Sequence, residues 1–358
     1  MSAIRFGAWG LGRIGTVHAK HFSAQAAMYD LVAGCDCEPP KVAKLVAEYH
    51  CAGYTRPEEF LADPEVELVV IATRSLDHTA HALQALAAGK YVLLEKPIAM
   101  DSGDICKLRE ADREYTGKLF FLHNHRFEPA FQHMLKIIRT GMLGSIEQVK
   151  ICRHHRYRRR PDWQAILRYG GGQLNNWGSH VIDHALQFIG APVKDVWSNL
   201  KGINAVGDAE NHVKIIITGE NGIVVDLEIS DAVALPGAFC TVYGNRGSLI
   251  CPDEKQIHLR YIEPGFEFPD VAASPDSPPL TGGFGHEEEI PWRQETIAVE
   301  PAVNMWEYVE VATAQHLYKA LREGVPFPVA NADALEVARI IGLVKDQNAQ
   351  FKWDFWVA

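Results

Sequence analysis

The stretch GAWGLGRIGTVHAK places Gly10, Gly12 and Gly15 at G-x-G-x-x-G spacing, directly after a short apolar run and at the start of a helical pattern. Few folds accept that arrangement. Gly10 permits a tight turn, Gly12 lets the backbone approach a pyrophosphate, and Gly15 allows close packing of helix on strand, with the helix N-terminus facing the phosphates. Asp36 closes the next apolar run, 21 residues after Gly15, where a carboxylate would grip the ribose hydroxyls of an adenosine. A glycine-rich turn followed by a solvated acid is the plainer alternative. The placement between strand and helix, nine residues from the N-terminus, favours a dinucleotide site, with Arg13 and Ile14 inside the turn counted among its contacts. A carboxylate repels a 2′-phosphate and no arginine follows Asp36 directly, so NAD is favoured over NADP. Lys41 and Arg56 would accommodate a phosphate only if the loop folded back.

The rest of the chain agrees with that opening. Its 358 residues amount to about two domains. Short apolar runs alternate with helical patterns up to residue 122, as βαβ units of a parallel sheet require. AIRFGAW, LVAGC, LVVIA, YVLL and KLFFL are the strand candidates, and Val42, Leu45, Val46 and Tyr49 form one helix stripe. From 123 to 358 the pattern becomes α+β. A helix is expected over about 128–140 and a strand from Ile146, while HVKIIIT and IVVDLEIS are joined around Asn221-Gly222, a hairpin signal. Residues 264–295 read as a long surface excursion that could border a site, with a solvated acidic run at 286–290, and helices return at about 302–323 and 333–347. The expected architecture is an α/β Rossmann domain, 1–122, with a doubly wound parallel sheet. An α+β domain, 123–358, would follow with a large, open, mainly antiparallel sheet and helices on one face.

A formal charge of −10 argues against a general nucleic-acid or anionic-membrane partner and leaves small molecules as ligands. Seven cysteines without paired spacing read as reduced core thiols, and no signal peptide or long apolar run is evident, so a cytoplasmic location is expected.

The second chemical signal is Glu95-Lys96-Pro97, directly after YVLL. In a doubly wound sheet, ligands bind beyond the carboxyl ends of the strands. A lysine there can hydrogen-bond a substrate hydroxyl, and desolvation would lower its pKa toward the range suited to proton transfer. Glu95 could orient it, although a snorkelling surface lysine has the same composition.

Several stretches resemble one family in order along nearly the whole chain. GLGRIG, TRSLDHTAHALQALAAGKYVLLEKPIA, NHRFEPAF, GGGQLNNWGSHVIDHALQFIG and HLYKALREGVPFPVANADALEVARII are similar to the glucose-fructose oxidoreductase / inositol dehydrogenase / MocA family, and Glu-Lys-Pro is its most specific mark. The resemblance implies a nicotinamide-dependent oxidoreductase acting on sugars or cyclitols, and a homodimer or homotetramer built through the C-terminal sheet. It makes Lys96 the catalytic lysine and places Pro97 after a peptide that is often cis in the family. Thr73, Ser75, His78 and Asn124 fall at cofactor-contacting positions, with Glu95, Lys96 and Pro97 beside the nicotinamide. His180 in GSHVIDH matches the family's site histidine.

One departure matters. In the best-known members an Asp precedes that histidine by four residues, and this chain has Asn176. An amide supplies no charge to stabilise an imidazolium, so His180 should be the weaker base. Three arrangements follow: Lys96 carries the proton, Asp183 or another acid supplies the charge, or Asn176 holds a substrate hydroxyl. Lys96 with Asn176 as substrate ligand ranks first.

RHHRYRRRPDW, 153–163, carries five arginines in eight positions and reads chiefly as a solvated strand end. His155, Tyr157, Asp162, Trp163 and Arg168 are its candidates for lining a substrate pocket, Trp163 offering a flat face to a sugar ring. His180, Asp183 and His184 share a helix face but lack a completing ligand cluster, so no metal is expected. Two rivals to a dehydrogenase share these features, a hydrolase or lyase that oxidises transiently and regenerates NAD, and a cofactor- or sugar-sensing protein without catalysis.

Overall fold

A computed structural model describes residues 2–270, 272, 275 and 288–353. The chain begins β1 (Ile4–Trp9), α1 (Arg13–Ser23), β2 (Tyr29–Cys35), α2 (Pro39–Tyr49), β3 (Ala52–Tyr54), α3 (Pro57–Ala62), β4 (Leu68–Ile71), α4 (His78–Ala87), β5 (Tyr91–Leu94), α5 (Ser102–Glu114) and β6 (Leu119–Phe121). The six strands form one parallel sheet in the order β3-β2-β1-β4-β5-β6. Leu68–Ile71 is buried throughout, as a strand covered on both faces must be. The order reverses between β1 and β4, and the loops after β1, β4 and β5 open onto that crevice. Strand β3, three largely exposed residues at the edge, is missing from the sequence reading because it has no apolar run to announce it.

The chain continues with α6 (Pro129–Arg139), β7 (Ile146–His154), α7 (Ser179–Ile189), β8 (Val193–Lys201), β9 (His212–Gly219), β10 (Val224–Ser230), β11 (Cys240–Gly244), β12 (Gly247–Cys251), β13 (Gln256–Ile262), β14 (Trp292–Ala298), α8 (Met305–Glu323) and α9 (Asn331–Gln347). An eight-stranded sheet runs β14-β13-β12-β11-β7-β10-β9-β8, antiparallel except where β7 pairs β10. The β9–β10 hairpin turns at Gly222, whose φ of +86° suits glycine. Alternation along β9 buries Val213, Ile215 and Ile217 against α6, α7 and α9. The expected excursion over 264–295 is shorter than read, because Trp292–Ala298 pairs with β13; of the acidic run only residues 288–290 are described. The thiols also differ from expectation, since Cys37 and Cys106 are exposed while Cys35, Cys240 and Cys251 are buried.

Helix α8 returns to the parallel sheet. Its Val309, Ala314 and Leu317 join that sheet's core, and the Tyr29 hydroxyl donates to the Ala314 carbonyl at 2.7 Å. A buried charged link also crosses this seam. His18 of α1, wholly buried, places Nδ1 2.7 Å from Glu310 Oε2 of α8 and Nε2 2.8 Å from Glu95 Oε1. Burial alone would lower the imidazole's pKa, but the two carboxylates, Glu310 first, outweigh it and push it up to about 10. His18 is therefore an imidazolium between two acids.

Replacing it by leucine would leave two buried carboxylates facing each other. His18→Leu is expected to cost about 3–5 kcal/mol of unfolding free energy, the range for breaking a buried ion pair from one side, measured by urea denaturation. Because the folded-state pKa is raised, the wild-type contribution is complete below 6.5 and is lost as pH rises through about 10. A pH series of melting curves should show that decline in the wild type and not in His18→Leu.

Candidate active site

The glycine turn has the form a dinucleotide needs. Gly10 has φ +94°, and a Cβ there would lie 2.6 Å from the Ala72 carbonyl oxygen. One at Gly15 would lie 1.8 Å from the Gly10 oxygen, whereas a Cβ on Gly12 would meet nothing within 4 Å. Two glycines thus let β1, β4 and α1 touch, and the third faces open space. No side chain caps the first turn of α1 and no acid stands in it, so its amides are available to a phosphate. Arg13 and Ile14 are exposed on the same turn. Asp36 shapes the cradle from the next strand end, accepting from Leu11 N at 2.7 Å and Glu38 N at 2.9 Å. These residues fit a bound dinucleotide.

The loop after β4 carries Thr73, whose hydroxyl bonds His81 Nδ1 at 3.0 Å, and the buried Ser75. His78 is buried, and desolvation lowers its pKa. The neutral ring donates through Nδ1 to the Pro97 carbonyl at 2.8 Å, tying the loops after β4 and β5 together. It is a brace between loops rather than a group on the open face of the cradle.

At the end of β5 the acid and the base separate their tasks. Glu95 Oε2 accepts from the backbone N–H of Lys96 at 2.8 Å while Oε1 holds His18, so Glu95 fixes the chain rather than the ammonium. Burial alone would raise the Glu95 pKa, but His18 lowers it and keeps the group ionised. The peptide between Lys96 and Pro97 is cis. The Lys96 side chain is half-buried, and Nζ donates to the backbone carbonyl of Asn176 at 2.9 Å. Asn124 joins the buried chain from the other side, its Nδ2 donating to Glu310 Oε1 at 2.9 Å.

Asn176 lies in a π-helical turn, Leu174–Gly178, that leads into α7. Such a turn widens the helix, and π turns recur at functional sites. Here its carbonyl reaches the lysine. Desolvation lowers the Lys96 pKa, with Arg13 and Arg160 adding repulsion against the opposing pull of Glu95.

His180, one turn further on, is buried and its Nδ1 has no protein partner. Its ring lies against His125, centroids 4.0 Å apart, and burial drives its pKa well below the usual value, so it is neutral. Asp183 does not supply the missing charge. It is bound by Arg126, with Nε 2.7 Å away and Nη2 closer still, and His123 lies 3.5 Å off. His184 donates to the His125 carbonyl and packs on Phe131, which disperses the apparent His-Asp-His face.

Beside Lys96 a pocket is lined by Arg158, Arg160, Gln173, Asn176, Glu210 and Asp231 among others. His155 stands behind it, with Nδ1 3.0 Å from Asp231 Oδ1 and a buried, unpartnered Nε2. Tyr157 and Trp163 are instead exposed, at 61% and 45%, and neither lines this pocket; Asp162 and Arg168 are also on the surface.

Sequence reasoning missed His18 and Glu310. The available signal was a titratable group on an otherwise buried stripe, His18 among Gly15, Ala19 and Phe22, and Glu310 among Val309, Thr313 and Leu317.

The family model described as oxidoreductase family, NAD-binding Rossmann fold, matches residues 4–123, and the GFO/IDH/MocA C-terminal domain matches 131–250. The chain belongs to the Gfo/Idh/MocA oxidoreductases. It is an NAD-binding oxidoreductase of that family. It is 27% identical over 306 residues to the scyllo-inositol 2-dehydrogenase (NADP(+)) IolW of Bacillus subtilis, covering 82% of this chain and 80% of that one. Against other curated relatives it spans only 57–59% of their length. The fold is also that of an NAD-binding protein from Listeria innocua, with a TM-score of 0.78, 22% identity and coverage of 97% and 95% of the two chains. GenD2 from gentamicin A biosynthesis, solved in complex with NAD, gives 0.75, 23%, 98% and 95%. Among the described residues no helix is long and apolar enough to cross a membrane.

The glycines separate binding from folding. Gly12→Ala should keep the melting temperature and weaken NADH binding, read by fluorescence titration, because its Cβ enters only the cradle's open space. Gly15→Ala should lose both, since its Cβ strikes the Gly10 carbonyl.

Proposed function

We propose that this chain is an NAD-dependent dehydrogenase or reductase for a secondary hydroxyl, or the matching ketone, of a sugar, glycoside or cyclitol. The observation that carries the reading is the Lys96 ammonium, with its lowered proton affinity, held between the glycine cradle and a polar pocket. The inositol dehydrogenase activity named for the Bacillus relative supports the substrate class.

When bound, the nicotinamide supplies the hydride acceptor or donor. Lys96 spends one N–H on the Asn176 carbonyl and keeps the others for a substrate hydroxyl. In the oxidative direction its amine form takes the hydroxyl proton as the carbonyl forms; in reduction the ammonium returns it. His155 and the neutral His180 each keep a buried, unpartnered ring nitrogen that would assist a substrate hydroxyl once the ring turns toward it, and the Asn176 side chain on the pocket wall holds a further hydroxyl. Glu95 positions Lys96 through the backbone. Arg13, Ile14, Asp36, Thr73, Ser75, Pro97 and Asn124 surround the cofactor, His78 bracing the loops beneath it. Asp36 favours NAD here, although the Bacillus relative is named for NADP.

We place the domain division at 122/123, with α8 packing back across it. Trp197, Tyr243, Ile250 and Trp292 are exposed on strands of the eight-stranded sheet and support a homodimer or homotetramer through that face. A cytoplasmic location goes with this reading.

Lys96→Met should retain NADH binding and lose turnover by at least ~100-fold, the lower range for an acid–base group, in a screen of sugars, inositols and their keto forms with NAD(H) and NADP(H). A fully active variant would remove Lys96 from the chemistry. For oxidation, kcat/KM should rise with pH through an apparent pKa below the ordinary lysine value. Arg160→Gln removes a neighbouring cation, favours the charged lysine and should move that limb to higher pH. An unmoved limb would break the link between Arg160 and Lys96.

A further inference from the structure

The pocket beside Lys96 carries an excess of cations that the hydride chemistry of a neutral sugar does not need. Arg158, Arg159 and Arg160 all line it, in a chain whose formal charge is −10. The acids around them are committed elsewhere. Asp231 is held by His155 and by Gln173, whose Nε2 donates at 2.6 Å. Glu210 accepts from Leu174 N at 2.9 Å, and burial raises its pKa. Asp208 caps Leu167 N at 2.8 Å.

Of these three arginines, Arg160 alone has a carboxylate in reach among the described residues, Asp162, at 2.7 Å on the exposed side. Arg159 donates to the Asn204 carbonyl, and no carboxylate lies within 4 Å of the Arg158 or Arg159 guanidinium among the described residues. Asn204 and Asn211 on the pocket wall add neutral polar groups without charge. A guanidinium presents a planar fork that matches carboxylate or phosphate oxygens with two parallel N–H bonds. Arg160 also lies close enough to Lys96 to depress its proton affinity, and Asn176 belongs to both the pocket wall and the lysine's contact. Pocket and lysine therefore share the Asn176 wall.

We infer that the substrate carries an anionic substituent, a carboxylate or a phosphate, which Arg158 and Arg160 hold while its hydroxyl meets Lys96. The inference rests on the dehydrogenase reading and narrows its substrate class to sugar or cyclitol acids and phosphate esters. An anion anchored by a guanidinium fork fixes the ring's orientation, which a set of near-equivalent hydroxyls cannot do alone. It also offsets the repulsion that the arginines impose on the lysine in the protonated state.

The test uses the full chain and matched compounds: D-glucose, D-glucuronate and D-glucose 6-phosphate, with D-galactose and D-galacturonate, and myo-inositol with its 1-phosphate. Turnover is followed by NADH formation, and NADH binding is titrated separately by fluorescence. Within the sets that are turned over, the anionic member should have the higher kcat/KM by roughly 10- to 100-fold, the range of one or two hydrogen bonds to a charged group. The carboxylate and phosphate arms tell the two sources apart. Arg158→Gln combined with Arg160→Gln should collapse that ratio toward one through KM, with NADH binding unchanged as evidence that the fold is intact. Arg158→Lys should restore part of it. A neutral member used as well as its anionic partner, a ratio that survives the double change, or no anionic member turned over by a wild type that binds NADH normally would each overturn the anion site. Loss of NADH binding by the wild type itself would instead strike the dehydrogenase reading.

Discussion

The His18 imidazolium between Glu95 and Glu310 is the interaction on which the rest of the site depends. It joins the helix of the glycine turn, the end of β5 and the returning helix α8 in one buried set of charges. Two carboxylates this deep would neutralise by taking up protons if the cation were absent. With it, Glu95 stays ionised and keeps an oxygen for the Lys96 amide. The lysine's place is thus set by its main chain, through a carboxylate held by His18, which Glu310 holds in turn from 292 residues further along the chain. With Glu95 occupied elsewhere, the ammonium donates to the Asn176 carbonyl instead of forming an ion pair with that carboxylate.

A second constraint comes from the opposite wall. In a regular helix, interior carbonyls are taken up within the helix. The π turn over Leu174–Gly178 turns one of them, at Asn176, toward Lys96. The lysine is therefore fixed at its backbone by the parallel sheet and at its tip by the larger sheet's helix layer. Its proton affinity reflects both surroundings, desolvation and two arginines against one carboxylate.

Legibility followed local pattern. The G-x-G-x-x-G turn, Asp36, the βαβ alternation and the Asn221-Gly222 hairpin are contiguous signals, and each is present in the fold. Lys96 could be placed at a strand's carboxyl end for the same reason. Partnerships across long separations were not legible. Glu95 could be read as orienting the lysine, but the choice of its backbone over its ammonium depends on where α1 and α8 cross. Asp183 looked available to His180 on a helical wheel, and Arg126, 57 residues earlier, takes it instead. Strand β14 was lost in a Pro- and Gly-rich stretch because its pattern is exposed and its pairing with β13 is what makes it a strand. The arginine run read as a solvated strand end because neutralising acids are countable in sequence, whereas their prior commitments are not.

The amide at position 176 follows from that same distribution of commitments. Asn176 Nδ2 approaches Gln173 Oε1 at 3.5 Å, Gln173 Nε2 donates to Asp231 Oδ2, and Asp231 Oδ1 bonds His155 Nδ1. The series runs from donor to acceptor, and its charge resides on Asp231. A carboxylate at 176 would turn an acceptor toward the acceptor end of Gln173 and add a second anion to the wall that Asp231 already occupies. It would also pull on Lys96 in the direction opposite to Arg13 and Arg160, favouring the ammonium. Replacing an acid by an amide here leaves His180 neutral, as its burial among His125, His123 and His184 already demands. That leaves Lys96, whose surroundings lower a high pKa and whose tip carries a carbonyl rather than a carboxylate, as the group our proposed reaction uses for proton transfer.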